Sequence, residues 1–535
     1  MSDFGDVLVS RSDIARLAGV RRPAVTNWER RHPDFPAPIA PPSGSAEPEA
    51  FRADQVLEWL SGRTVPSNAL QPGEPAGTTY GDRFRSALGG SRSGTLLSAV
   101  EQLAWRDADR LRGRLRMSDY VNLLLSLVFF QSQDDERWIR YVKDPGAVLR
   151  DLEVPEEYGP RLLSDVIRFL DHNPPASRDE GRQAFDRLLA LLRDTDARAA
   201  DEFFTPPSVS RVMARALTGH GPAAKRLHDP FCRSGELLCA YLDAVAERGG
   251  EAPEDISGRA PQEQALQLAR MNVLLHGGRP RLAPGPVSPA GDAPDPPGTF
   301  DVVLTNPPFG GGRVTTVEDR QDTRQYAYAR TSSVQFDWLQ YVLSRLAPDG
   351  RAAVLMPSGA AFQGGAARQV RARMVEDGAV ECVMALPSQL FELTRIQTHI
   401  WFLRSPQGRP EQVLFVDGAG LGHMAGRNRR SLSDSDVDRL VHAYVSWRQD
   451  REDGQDHAGI PGLSRAVDPE AMAALDYRMD PPLLVHGDAP LEAVGLDPAD
   501  AKDRLAQLAE DLGRLGTEAQ DADSALEKWL RRYGL

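Results

Sequence analysis

The sequence predicts an α/β protein: a doubly wound core, an all-α region before it and a C-terminal helix after it. Three observations carry that prediction. Between about 200 and 405, short apolar runs ending in Asp or Gly alternate with helical stretches, as strands joined through helices do. From about 96 to 195, apolar residues recur at helical spacing. Near the end, Leu505, Leu508, Leu512 and Leu515 repeat at three- and four-residue steps, a stripe that suits a partner-binding coil or a helix folded back on the body.

Residues 1–65 read as a helix-turn-helix module. Ile14, Leu17 and Val20 share one helical face, Ser12 suits an N-cap, and Gly19 marks the turn. A second helix begins with Pro23 in its first turn, turns Val25 and Trp28 inward, and carries Arg21, Arg22, Thr26, Asn27 and Arg30 outward as DNA-binding candidates. FRADQVLEWLSG closes the module with a third helix. The bland alternative is a docking module that touches no DNA. Residues 66–95 are rich in Pro, Gly and Ser and read as a linker. Residues 96–195 form a helical domain, and its VNLLLSLVFF run is too short for a membrane span. In the α/β block, 196–405, the candidate strands are RLHDPF, FDVVLTN, RAAVLMP, VECVMALP and THIWFLR, with ligands expected at their carboxyl ends. Residues 406–486 mix short strands with the helix LSDSDVDRLVHAYVSW. Residues 487–535 form the terminal helix.

Composition narrows the function. The length of 535 residues suggests three or four units. A net charge of −13 argues against a surface coated for nucleic acid, yet the span from Arg11 to Arg31 sets six arginines against Asp13 and Glu29. The chain has only four lysines, so its arginine excess reflects general codon usage and is no sign of DNA recognition. No apolar run reaches membrane length, the N-terminus lacks a secretory pattern, and three cysteines exclude a disulfide framework, which together predict a cytoplasmic protein. The histidines show no metal-ligand spacing, so no metal is expected.

The sharpest chemical signal is Asn306-Pro307-Pro308-Phe309 at the end of an apolar strand. The prolines stiffen the loop and remove two backbone donors. An Asn amide oxygen beside a main-chain carbonyl makes a pair of acceptors for both hydrogens of an exocyclic amine, and the Phe309 ring suits stacking on a planar base. An amine conjugated into a ring needs this arrangement, because its hydrogens must leave the ring plane before the lone pair can attack.

Several stretches, in order, resemble the gamma-class amino-methyltransferases, and in particular the modification subunit of type I restriction-modification systems. Glu202 to Pro206 is similar to that family's FFTP element, and Asp229-Pro-Phe-Cys-Arg-Ser-Gly235 to its DPACGSG loop. Leu268-Ala-Arg-Met-Asn272, Gly291-Asp292, Leu386-Pro-Ser-Gln-Leu-Phe391, Ile396 to Ile400 and Asp476-Tyr477 follow the same pattern. The first module resembles the MerR or excisionase type of helix-turn-helix and is an addition to that layout.

The resemblance implies a Rossmann-like class I methyltransferase core that moves a methyl group from S-adenosyl-L-methionine to adenine N6 of flipped-out DNA. It assigns catalysis to Asn306, Pro307, Pro308 and Phe309. It places Phe204, Thr205, Pro206, Asp229, Pro230, Cys232, Ser234, Gly235, Asp292 and Asn306 around the cofactor, with Asp292 accepting from the adenine amine of the cofactor. Cys232 is a small packed residue with no nucleophilic task. The implied partners are double-stranded DNA, a specificity subunit and a nuclease subunit, with a homo-oligomer also allowed. Two departures stand out. Arg233 and Glu236 occupy places where the family carries glycine, and the family's ribose-binding acid falls at Ala260. They support an alternative, a catalytically silent methylase fold that serves a DNA-binding assembly. Methylation of a protein glutamine amide is a third reading, which the helix-turn-helix disfavours.

Overall fold

In a computed structural model, the structure describes residues 8–39, 50–66, 77–88, 95–111, 116–133, 135–152, 158–195, 204–221, 223–260, 262–284, 295–309, 333–391, 396–426, 429–457 and 459–487, with 69, 328, 506, 507 and 514. It divides into two compact units: residues 1–204 with 271–277, and residues 205–270 with 278–535. Apart from 487, 506, 507 and 514, the terminal helix expected over 487–535 lies outside the described residues, as do its leucine stripe and Asp292.

The first unit opens with β1 (Leu8–Ser10), α1 (Arg11–Leu17), α2 (Arg22–Arg31), β2 (Ala50–Arg52) and α3 (Ala53–Ser61). The strands pair antiparallel. The cap of α1 is Ser10 and not Ser12: Ser10 Oγ accepts from the Asp13 amide while Asp13 accepts from Ser10, a reciprocal box that fixes the helix start two residues earlier than expected. Ile14, Leu17, Val25, Phe51, Val56, Trp59 and Leu60 form one apolar core.

The stretch expected to be a linker holds α4 (Tyr80–Leu88), whose Phe84 is buried in that same core and whose Tyr80 ring lies 5.3 Å from Trp28. Pro/Gly-rich composition therefore marks only part of 66–95. Apolar Phe84, Tyr80 and a capping exchange between Thr79 and Asp82 are enough to build a helix there.

Next come α5 (Leu96–Leu111), α6 (Met117–Ser132), α7 (Glu136–Lys143), α8 (Ala147–Asp151), α9 (Gly159–Asp171) and α10 (Arg178–Thr195). The apolar run of α6 is buried almost throughout, and α10 packs on both α5 and α6. α6 ends at its C-cap Gln133, and Asp135 starts α7 by accepting from the Arg137 amide at 2.9 Å. No described helix is long and apolar enough to cross a membrane.

The second unit is built on a nine-stranded sheet in the order β13-β10-β8-β9-β7-β6-β3-β4-β5. Its strands are β3 (Arg226–Asp229), β4 (Asp255–Ala260), β5 (Pro280–Pro284), β6 (Phe300–Thr305), β7 (Leu346–Pro357), β8 (Val380–Ala385), β9 (Thr398–Arg404), β10 (Val413–Asp417) and β13 (Ser464–Val467). The pair β11 (His423–Met424) and β12 (Arg430–Ser431) forms a separate ribbon. All five sequence-predicted strands are present. The sheet is mixed, because β9 runs antiparallel to both β7 and β8 and β13 antiparallel to β10.

The helices of this unit are α11 (Pro207–Thr218), α12 (Glu236–Glu247), α13 (Glu263–Leu275, ending within the first unit), α14 (Val334–Arg345), α15 (Ala366–Glu376), α16 (Asp434–Glu452), α17 (Pro469–Ala474) and α18 (Pro481–His486). Phe336, Trp338 and Val342 of α14 and Val370 and Met374 of α15 close one apolar cluster with Val303, Val354 and Trp401 of the sheet. From β3 the chain winds outward through β4 and β5, then returns to β6 on the opposite side of β3. This reversal opens a crevice between the carboxyl ends of β3 and β6, where α/β sheets bind ligands. The two loops that carry the sharpest motifs, Asp229–Gly235 and Asn306–Phe309, leave from those two ends.

Candidate active site

The loop after β3 turns sharply into α12. Asp229 is fully buried, and its Oδ1 accepts from the Phe231 amide at 3.0 Å, so it closes its own turn and does not cap the helix. Burial, with the Glu236 carboxylate nearby, pushes the Asp229 carboxyl up to about 8. Gly235 takes the N-cap place of α12 in the left-handed region, at φ 79°. A Cβ there would come within 3.2 Å of the Ala269 backbone, so glycine is required both by conformation and by the approach of α13. Cys232 is buried, its amide donates to the Arg259 carbonyl at 2.8 Å, and burial raises its thiol well above the usual range, consistent with a packing role.

Arg233 is one of few non-glycine residues with positive φ, at 46°. Its side chain is buried and reaches forward: Nη2 donates to the Asn306 carbonyl at 3.4 Å, and the guanidinium lies 5.4 Å from the centre of the Phe231 ring. The place of the family's glycine thus keeps glycine's conformation with an arginine in it.

Asn306 follows β6 and is 1% exposed. Its Nδ2 donates to Thr205 Oγ1 at 3.1 Å. Thr205, also 1% exposed, donates through its amide and hydroxyl to Glu236 Oε1 at 2.7 and 2.9 Å, and Ser234 Oγ donates to Glu236 Oε2 at 2.9 Å. Three segments far apart in sequence therefore meet at Asn306: the turn before α11, the start of α12 and the end of β6. Pro307 is buried, Pro308 and Phe309 are half-buried, and the Phe309 ring meets Phe391 edge to face at 6.0 Å. Gln335 Nε2 holds the Phe309 carbonyl at 2.9 Å. Pro206 is half-buried at the start of α11. Phe204, buried, belongs to the first unit, where Arg193 lies over its ring at 5.8 Å.

Ala260, where the resemblance expects a ribose-binding acid, ends β4 and is fully buried. Glu263, the next acid along the chain, is exposed in the first turn of α13 and takes a hydrogen bond from Gln267 at 2.7 Å. The expected adenine acceptor, Asp292, is undescribed, but Asp295 just beyond it is bound inward. Its Oδ2 accepts from the Tyr341 hydroxyl at 2.6 Å and its Oδ1 from Arg259 at 3.2 Å, with His228 Nε2 at 3.5 Å. Burial alone would raise its carboxyl; His228, Tyr341 and Arg259 hold it well below the ordinary carboxylate range. His228 stacks on Phe300 with centroids 4.1 Å apart and meets Ser257 Oγ through Nδ1 at 2.9 Å, a structural setting.

In the first unit, Arg21, Arg22, Thr26, Asn27 and Arg30 are all exposed, while Val25 is buried and Trp28 packs 5.6 Å from Trp59. Arg11 takes Glu29 through two bonds of 2.7 Å, and Asp13 is engaged by Ser10 and Arg16. Both acids of the segment are thus occupied. Among the described residues no carboxylate pairs with Arg21, Arg22, Arg30 or Arg31. Phe391, and the hold of Glu236 on Thr205, escape the sequence, since their task appears only once the loops meet. Their one sequence signal was departure from, or agreement with, a family pattern.

Residues 176–492 match the family model for N-6 DNA methylases, and the chain belongs to that family. S-adenosyl-L-methionine is the cofactor expected of it. The chain is 25% identical over 268 residues to the type I restriction enzyme HindI methylase subunit of Haemophilus influenzae, covering 49% of this chain and 60% of that protein. It is 29% identical over 263 residues to the EcoEI methylase subunit of Escherichia coli, covering 47% and 52%. The chain thus spans roughly half to three-fifths of the length of these relatives. The fold is shared with the methyltransferase subunit of a type I restriction-modification system from Streptococcus thermophilus, with a TM-score of 0.59, 22% identity, and 73% of this chain and 99% of that one covered.

Proposed function

We propose that this protein methylates N6 of adenine in DNA, with S-adenosyl-L-methionine as donor, as the modification subunit of a type I-like restriction-modification or defence system. The observation that carries the reading is Asn306: a buried amide at the carboxyl end of β6, at the sheet's reversal point, held by Thr205 and followed by two prolines and an aromatic ring. Asn306 Oδ1 and the Pro307 carbonyl accept the two hydrogens of the target amine and draw them out of the ring plane, which frees the nitrogen lone pair. Phe309, braced by Phe391, stacks on the base. Because the amine is buried in a duplex, the base must leave the stack to reach this pocket.

The cofactor supplies a methyl group on a positively charged sulfur, so no covalent enzyme intermediate and no metal are needed. Thr205, Pro206, Asp229, Pro230, Ser234 and Gly235, with Phe204 and Asp292, are the residues proposed to hold it. The glycine cradle and the buried carboxyl of Asp229 fit a cationic amino-acid group; Ala260 offers nothing to ribose hydroxyls.

Residues 1–65 are proposed to add a DNA contact through Arg21, Arg22, Thr26, Asn27 and Arg30. The support is an exposed cationic helix whose neighbouring acids are already paired. A specificity subunit and a nuclease subunit are the partners proposed for the assembly. A second reading, a silent methylase fold within a DNA-binding complex, is favoured by Arg233 and Ala260.

Calorimetric titration of S-adenosyl-L-methionine into the full chain, with and without duplex DNA, separates the two. Saturable binding supports the enzyme; absence of binding in both conditions supports the silent fold.

A further inference from the structure

We propose that Glu236 is a positioning residue that sets which end of the Asn306 amide faces the target amine; this rests on the methyl-transfer reading. A carboxylate only accepts hydrogen bonds. Thr205 has one hydroxyl proton, and it goes to Glu236 Oε1, together with the Thr205 amide. The Thr205 oxygen is therefore left as an acceptor toward Asn306, and Asn306 must present its NH2 to it. The carbonyl end, Oδ1, is turned the opposite way, where an amine donor can use it. Ser234 holds the second oxygen of Glu236, so the carboxylate is fixed at both ends. Thr205 and Asn306 are both nearly inaccessible, so water cannot supply the missing polarity.

Without the carboxylate, the Thr205 proton is free to point at Asn306, and the amide then settles with its oxygen toward Thr205 and its NH2 toward the substrate. Two donors would face each other at the reacting amine. Glu236→Gln keeps a carbonyl oxygen for Thr205, and Ser234 can turn to accept from the new NH2.

The test compares wild type, Glu236→Ala and Glu236→Gln on the full chain, in single-turnover methylation of duplex DNA and in cofactor titration. We expect the single-turnover rate constant to fall by about ten- to a hundredfold in Glu236→Ala, to stay within about threefold of wild type in Glu236→Gln, and the cofactor Kd to move by less than about threefold in both. Neutron diffraction from deuterated Glu236→Ala crystals should show the Asn306 amide reversed. The inference is overturned if the alanine and glutamine variants behave alike, if only the cofactor Kd changes, or if the amide keeps its orientation in Glu236→Ala. Should wild type itself transfer no methyl group, the functional reading fails, and the neutron maps still decide the positioning role.

Discussion

Replacing Arg233 by glycine and by alanine measures what the loop after β3 stores as backbone strain. Arginine at φ 46° sits where side chains of L-residues crowd the following carbonyl, at a cost of about 1–2 kcal/mol. Alanine keeps that cost and glycine removes it. Glycine also frees the unfolded chain, which takes back about 0.4–1 kcal/mol. Both substitutions lose the same side-chain contacts, the 3.4 Å bond to the Asn306 carbonyl and the approach to Phe231, so these cancel in the comparison. The glycine variant should therefore be more stable than the alanine variant, by up to about 1.5 kcal/mol. Urea denaturation followed by tryptophan fluorescence reads the difference as a shift in midpoint at constant slope. An alanine variant as stable as the glycine variant, or more so, would refute the strain argument.

Four other outcomes follow from the site and the first module. Ala260→Glu restores an acid at the end of β4; one new charge-assisted hydrogen bond is worth about 1.5–3 kcal/mol, so cofactor affinity measured by calorimetry should tighten by roughly tenfold or more, and no change would mean another group already holds the ribose. Asp229, neutral below about pH 8 in the free protein, should ionise beside a cationic ligand, so cofactor affinity should rise with pH up to about 8 and then level off, with proton release detectable in buffers of different ionisation enthalpy. Because its folded value is raised, the stability Asp229 contributes is present below the ordinary Asp range near 4 and is lost as pH rises through about 8, visible in melts from pH 5 to 9. Changing Arg21, Arg22 and Arg30 to Ala should weaken duplex binding and reduce the salt slope by about one per lost phosphate contact, whereas an unchanged slope would remove DNA from the role of this helix. These substitutions are preferable to deleting residues 1–65, which would strip the apolar core from around Phe84 and Tyr80.

Much of the fold was legible because strong local signals agreed with it. Val302, Val303 and Leu304 ahead of Asn306, or Ile400, Trp401 and Phe402, are short apolar runs rich in β-branched and aromatic residues, which suit a buried strand. β4 was harder to see: Ser257, Gly258 and Arg259 give it no apolar run, and it exists because Gly258 lets it lie against the Asp229 turn, where a Cβ would meet the Asp229 carbonyl at 2.9 Å. The antiparallel course of β9 was not legible either, since direction depends on the connection from β8 and not on the strand's own residues. At the site, the Asn306 loop and Gly235 could be read from residue type, because stiff prolines and a left-handed turn leave compositional marks. The link from Glu236 through Thr205 to Asn306 could not, because it joins positions 205, 236 and 306 only after the sheet has folded.

The most direct test of methylation at Asn306 is to incubate the full chain with duplex DNA and S-adenosyl-L-methionine, digest the DNA to nucleosides and identify the methylated base by mass spectrometry, with Asn306→Ala as control. N6-methyladenine made by wild type, and lost by at least about a hundredfold in Asn306→Ala, is the predicted result. Cofactor binding with no methylated base, or equal methylation by the Asn306→Ala variant, would contradict it.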